Sequence, residues 1–272
     1  MKPAVLSAAR GPRLRAGVLF PFLLFTLALA AQSAGLSASV GLGLALFLAG
    51  LAHGAGEEED GTIRPLGLPQ ATAYVVSALA IAGLFLALPL AGLALFLALS
   101  GWHFAHGDCG LARLSRFAMA GLAIGGSALF HPHPTTDTFS TVVEGSVPLA
   151  FTQVLAIAGV FGAGAALVSV ARGRRDWPLA LLALAATAVF HPVLAVGFVF
   201  FIGHALPIQL RQLGRYGSAA VAKAIAWPTG IAVAGAALMA ASVAAGWMTL
   251  PIAAAFAFGF ATPHMLTDRL RV

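Results

Sequence analysis

The sequence predicts an all-α fold, a polytopic integral membrane bundle of about ten transmembrane helices, since a span takes ~20 apolar residues and the rest form short loops. Three observations carry that expectation. Of 272 residues, 60% are apolar and only 9% charged, against roughly 25% charged in a soluble domain. So few charges cannot cover a water-exposed surface, and the solvent must be lipid. The apolar residues also fall in long runs, broken by charge, proline and glycine. Finally, the 15 Lys and Arg residues gather at alternate ends of those runs, as expected when basic loops stay in the cytoplasm.

The first run, Ala16 to Ala31, follows a basic leader of Lys2, Arg10, Arg13 and Arg15. With its small residues near Ala28 and Ala30, this segment also fits a signal peptide. Residues 1–31 are thus either the first span or a cleaved leader, which would leave nine spans. Leu36 to His53 comes next, followed by Arg64. Ala71 to Leu88 and Pro89 to His106 divide at Pro89 because proline disfavours a helical conformation in the residue before it. Arg113 and Arg116 follow, then the runs Leu114 to Phe130 and Pro148 to Ala171, then Arg172, Arg174 and Arg175. Pro178 to Phe190 and Pro192 to Leu210 divide at His191-Pro192 on the same ground. Arg211, Arg215 and Lys223 follow, then Pro228 to Trp247, Leu250 to Thr267, and Arg269 with Arg271. Pro178 to Phe190 is short for a span, so eight or nine complete crossings is the alternative count.

The loops after the odd-numbered runs hold no Lys or Arg. Both termini are therefore expected in the cytoplasm, with residues 1–272 forming one transmembrane domain of a cell (inner) membrane protein. The net charge of +6 is then a signal of topology and calls for no nucleic acid. The one cysteine, Cys109, permits no intramolecular disulfide.

Against this apolar background stand eight histidines. Ionisable groups at membrane depth are costly and usually face a bundle interior, a pathway or a cofactor. In the expected topology His53, His103, His106, His204 and His264 all lie toward the cytoplasmic ends of even-numbered spans. His131 and His133 lie at the outer end of span five, in a proline-rich turn whose spacing would also suit a weak external metal site. His191 lies at the outer turn before span eight, ~20 Å along a helix from His204, too far for one ion to hold both. Histidines from four helices at one level predict a polyhistidine metal site inside the bundle. Glu57, Asp108 and Asp268 follow His53, His103 and His264 by four or five residues, as carboxylates that orient imidazoles would, or simply as markers of the span ends.

The runs GLAHGAGEE around His53, SGWHFAHGD around His103, FHPVLAVGFVFFIGH ending at His204 and TPHMLTDR around His264 resemble, in order, the motifs of the bacterial and archaeal Brp/Blh family of β-carotene 15,15'-dioxygenases. The resemblance implies an Fe(2+) enzyme that uses O2 to split the central double bond of β-carotene into two retinals, with a retinal-binding rhodopsin as a functional partner. It also implies iron ligands at His53, His103 and His204. The family's fourth ligand, the second histidine of a His-x-x-x-His pair, falls at Ile208 here, just after Pro207. His264 is the first substitute for it and His106 the next. Glu57 stands where the family commonly has Asp, and His191 matches its His-Pro.

Neutral histidines hold iron firmly, leave positions for dioxygen and place no negative charge in lipid. A carotenoid offers no polar handle, so an apolar tunnel must recognise it. Phe104, Phe190, Phe198, Phe200, Phe201, Phe256, Phe258 and Phe260 lie near the histidine-bearing segments. The competing functions are a non-catalytic carotenoid-, retinal- or metal-binding membrane protein, suggested by Ile208, and a metal or proton transporter using a histidine relay.

Overall fold

The computed structural model describes the backbone of residues 12–54, 56–59, 62–65, 68–107 and 110–270. It describes their side chains except for 12–18, 56–59, 62, 64–65, 69–70, 264 and 266–270. The chain runs through α1 (Pro12–Ala34), α2 (Leu36–Leu51) and a short 3-10 turn (Ala52–Gly54) into a hairpin of β1 (Gly56–Glu59) and β2 (Thr62–Pro65). There follow α3 (Leu68–Ala87), α4 (Pro89–His106), α5 (Arg113–Phe130), α6 (Pro132–Val143), α7 (Leu149–Ala171) and α8 (Trp177–Val189). A π turn (Phe201–Ala205) joins α9 (Pro192–Phe200) to α10 (Leu206–Tyr216) as one helix, and α11 (Ser218–Ala244) and α12 (Leu250–Leu270) complete the bundle. One short antiparallel hairpin pairs Gly56 with Pro65, and the other described elements are helices, so the fold is all-α as expected.

Among the described residues, four helices are long and apolar enough to cross a membrane: 36–54, 149–171, 192–216 and 218–244. Shorter apolar helices cover 19–34, 71–87, 177–189 and 250–263. Lipid accounts for what the helices expose. Phe161 of α7 is 74% exposed and Trp227 of α11 76%, which water would not tolerate over so many helices.

Three boundaries differ from expectation. Residues expected as a proline-rich turn form α6, because Pro132 at its first position has a φ already suited to a helix. The hydroxyls of Thr136, Thr138 and Thr141 bond back to carbonyls four residues earlier. α11 starts at Ser218 and carries Pro228 inside it. A membrane helix tolerates such a proline where local adjustment satisfies the freed carbonyl. The helix holding His204 likewise continues past Leu210 to Tyr216.

The bundle is arranged around α9–α10, whose apolar window is 67% buried, against 6% for α11. Glycines allow its helices to pack backbone to backbone, as small residues do in lipid. A Cβ on Gly125 of α5 would lie 2.0 Å from the Leu155 carbonyl of α7, and one on Gly159 of α7 would lie 2.2 Å from the Gly125 carbonyl. Buried hydroxyls bond across the same pair of helices, Ser115 with Ser169 at 3.2 Å. α5 is thereby fixed as a scaffold beside α9.

Candidate metal centre

The site begins with two glycines. Gly43 of α2 and Gly197 of α9 face each other so closely that a Cβ on either would lie 2.5–2.7 Å from a carbonyl of the other helix. One turn and more beyond, Gly50 leaves room for the Phe200 ring, which an added Cβ would meet at 2.2 Å. This smooth face brings the end of α2 against the middle of the central helix. His53 follows in the 3-10 turn, 7% exposed. Its Nδ1–H donates to the Gly50 carbonyl. A carbonyl can only accept, so this bond fixes the tautomer and turns the Nε2 lone pair inward.

His204 owes its position to the π turn. Pro207 has no N–H to give Gly203, four residues before it, and in a regular α-helix its ring would press on that carbonyl. The turn widens instead, with the Leu206 N–H bonding the Phe201 carbonyl. Such bulges often occur at functional sites. Gly203 in the same turn lies against Met119 of α5, where a Cβ would be 2.6 Å from the sulfur. His204 is 2% exposed and stands at the midpoint of the helix spanning 192–216.

His103, 4% exposed, projects from the last turn of α4. Its Nε2 lies 2.9 Å from Nε2 of His204, and the His53 and His204 ring centroids are 4.8 Å apart. His53, His103 and His204 are all buried, with one potential ligand atom from each within 4.8 Å of the others. They form one metal-capable cluster among the described residues. Imidazole nitrogens ~2.1 Å from one ion stand ~3.0 Å apart when bound at right angles and ~4.2 Å when opposite. The His103–His204 pair already has the first spacing, and a modest closure brings in the third ring. Three buried neutral imidazoles with converging nitrogens therefore fit a borderline-soft divalent ion such as iron(II).

Aromatic rings wall the cluster. Phe104 lies 4.9 Å from His204, Phe200 lies 5.7 Å from His53, and Phe47 stacks on Phe200 at 5.4 Å. Of the other phenylalanines expected near the site, Phe190 and Phe198 pack on Phe25. Phe258 packs on Phe85 and Phe96, and Phe201 faces Phe20. Phe256 stacks on Phe260 within α12.

The remaining candidates are dispersed. His106 is exposed, and its Nδ1–H donates to the Trp102 carbonyl at 2.9 Å. His131 donates through Nε2 to the Ala188 carbonyl at 3.0 Å. His191 caps α9, accepting at Nδ1 from the Val193 N–H. Burial, and next the positive charge of His131, hold His191 below its ordinary pKa. His133 is exposed in the first turn of α6. His264 lies on α12, and its side chain, like those of Glu57 and Asp268, falls outside the described residues, as does Asp108. α12 does reach α4 at this level, through Ser100 Oγ donating to the Met265 sulfur at 3.6 Å. Ile208, where the family pattern has histidine, is 7% exposed.

Several residues that shape the centre carry no signal as ligands. Gly107 is one: a Cβ there would lie 3.1 Å from His204 Cε1. The Arg116 guanidinium anchors it by donating to its carbonyl at 2.9 Å. Gln209 and Gln212 are others, and only the fold shows that α10 turns them toward His53. Two glutamines three residues apart, on one face of α10, are the signal that could have marked them.

A family model described as beta-carotene 15,15'-dioxygenase matches residues 44–267, a segment holding all eight histidines. No curated protein and no solved structure matches the chain.

Proposed function

The chain belongs to the beta-carotene 15,15'-dioxygenase family, and from that premise we propose that it is a membrane-embedded, non-haem iron dioxygenase. It breaks the central double bond of β-carotene and gives each carbon one oxygen atom of O2, producing two retinals. The observation that carries this reading is the meeting of three buried histidines from separate helices. His53, His103 and His204 would hold Fe(2+), which supplies the capacity to activate dioxygen. Within the same reading Glu57, Asp108 and Asp268 orient the ligands, and His264 on α12 is the candidate fourth ligand.

The chain's own groups supply the rest of the chemistry. The three imidazoles are neutral donors, so no buried carboxylate has to be stabilised at the centre. Hydrogen bonding from His53 Nδ1 to the Gly50 carbonyl keeps Nε2 facing inward. Phe47, Phe104 and Phe200 exclude water and offer flat apolar faces to a polyene. Dioxygen and the carotenoid are both apolar and both partition into the bilayer, so each reaches the centre from lipid.

In this proposal the ten apolar helices α1 to α5, α7, α8, α9–α10, α11 and α12 cross a cell membrane with both termini in the cytoplasm, while α6 lies across the outer side. The distribution of basic residues supports that orientation. Released retinal would serve a retinal-binding rhodopsin.

Expression in cells that accumulate β-carotene tests the activity. The pigment is expected to bleach with production of retinal, and His103→Ala is expected to prevent both. Unchanged β-carotene beside full-length, iron-loaded protein would refute cleavage and favour a carotenoid-binding role.

A further inference from the structure

We propose that Gln209 and Gln212 are positioning residues, holding the His53 turn by its backbone so that two ligand-bearing segments, the α2 end and the central helix, keep a fixed separation. The proposal rests on the metal-centre assignment above and extends it to residues without ligand chemistry.

The last four carbonyls of an α-helix have no donor within the helix, and at the end of α2 Gly50 and His53 are buried. Two amides from another helix meet that need. Gln209 Nε2 donates to the Ala49 carbonyl at 2.9 Å, and Gln212 Nε2 reaches the His53 carbonyl at 3.5 Å. Between them, the Gly50 carbonyl takes the His53 Nδ1–H. The turn is thus held at three carbonyls in five residues, one by its own histidine and two by α10.

The spacing of the two glutamines suits the task, since residues three apart share one face of a helix. Both follow His204 on one continuous helix, beyond the π turn. The helix that presents one proposed ligand therefore grips the segment that presents another. Gln212 is 2% exposed, a costly place for a primary amide unless its hydrogen bonds are used. Groups that orient a ligand from behind typically change metal affinity 10–100-fold when removed, and the same scale is expected here.

The test uses the full-length protein in detergent with Gln212→Met and Gln209→Met, singly and together. Methionine keeps the length and volume of glutamine while removing the donor. Three quantities are measured: Co(II) affinity by absorption titration, the 15N signals of the histidine rings without metal, and the metal-free melting temperature. Positioning predicts that Gln212→Met weakens Co(II) binding by about 10–100-fold. It also predicts a shifted or broadened His53 signal, and a loss of affinity greater than any fall in metal-free melting accounts for. Gln209→Met should act in the same direction, and the double variant should fall short of the sum because both amides hold one turn. Unchanged Co(II) affinity with an unchanged His53 signal would overturn the proposal. So would a loss of affinity that simply follows a loss of metal-free stability. If the unaltered protein takes up no Co(II), the metal assignment fails separately. The His53 signal then decides alone, a shift supporting positioning and no shift overturning it. If Gln212→Met does not fold, Gln209→Met, at a half-buried position, carries the same three measurements.

Discussion

Replacing Gly197 by alanine tests whether the spacing of α2 and α9 sets the metal centre. A Cβ at Gly197 would lie 2.5 Å from the Gly43 carbonyl oxygen, whereas ordinary contact begins at 3.4 Å. The two helices must therefore part by about 0.9 Å, the difference between these distances, because the obstacle is backbone and cannot swing aside. Overpacking of this kind costs ~1–3 kcal/mol, and the helices carry the displacement to His204, seven residues beyond Gly197, and to His53, ten beyond Gly43. Their ligand atoms belong to a cluster spread over as much as 4.8 Å, so further separation opposes the closure to ~4.2 Å or less that two bonds of ~2.1 Å require. Iron(II) affinity, measured by titration of the purified protein, should fall at least about tenfold, equivalent to ~1.4 kcal/mol. The control is Gly164→Ala, where an added Cβ meets nothing within 4 Å. Unaltered iron affinity in Gly197→Ala, with the control also unaltered, would refute the claim that this glycine contact sets the ligand spacing.

Other consequences follow from the same geometry. His106→Ala should retain iron and cleavage activity within about twofold, because its ring is exposed and turned to the Trp102 carbonyl, and surface changes of this kind cost little. A loss of iron equal to that in His103→Ala would make His106 a ligand. Stability should also depend on pH through His191. Its folded pKa is depressed, so the unfolded chain binds the proton more tightly and stability is lost as pH falls below the unfolded value of about 6.5. Thermal unfolding of His191→Asn, which keeps a capping side chain, should lack that component. Identical acid profiles for the two proteins would contradict this.

Much of the fold was legible because lipid makes the sequence simple to read. Uninterrupted apolar runs become helices, and prolines at Pro89 and Pro192 do mark helix starts. Pro228, Pro207 and Pro132 show the limit of that logic. One lies within a helix, one shapes a π turn and one opens an unexpected helix. What each does depends on which neighbouring helix or turn satisfies the freed carbonyl, and a linear pattern does not record this. The convergence of His53, His103 and His204 was legible for a related reason. The expected placement of every basic residue on one side sets these histidines at one level. His106 shared that level but is exposed and bonds the Trp102 carbonyl, whereas His103 is buried, a difference that depends on which neighbouring helices cover the end of α4. The supporting residues were hidden since their roles are backbone contacts across helices, Gln212 with the His53 carbonyl and Gly107 beside the His204 ring.

In the proposed centre, His53 from the turn after α2, His103 of α4 and His204 of the central helix hold one iron ion. Iron content per chain, measured by elemental analysis with X-ray absorption at the iron edge, tests it most directly in the reconstituted protein and in His53→Ala, His103→Ala and His204→Ala. One iron per chain with a shell of imidazole nitrogens is expected in the unaltered protein, and loss of most of that iron in each variant. Stoichiometric iron with the same nitrogen shell in all three variants would contradict it.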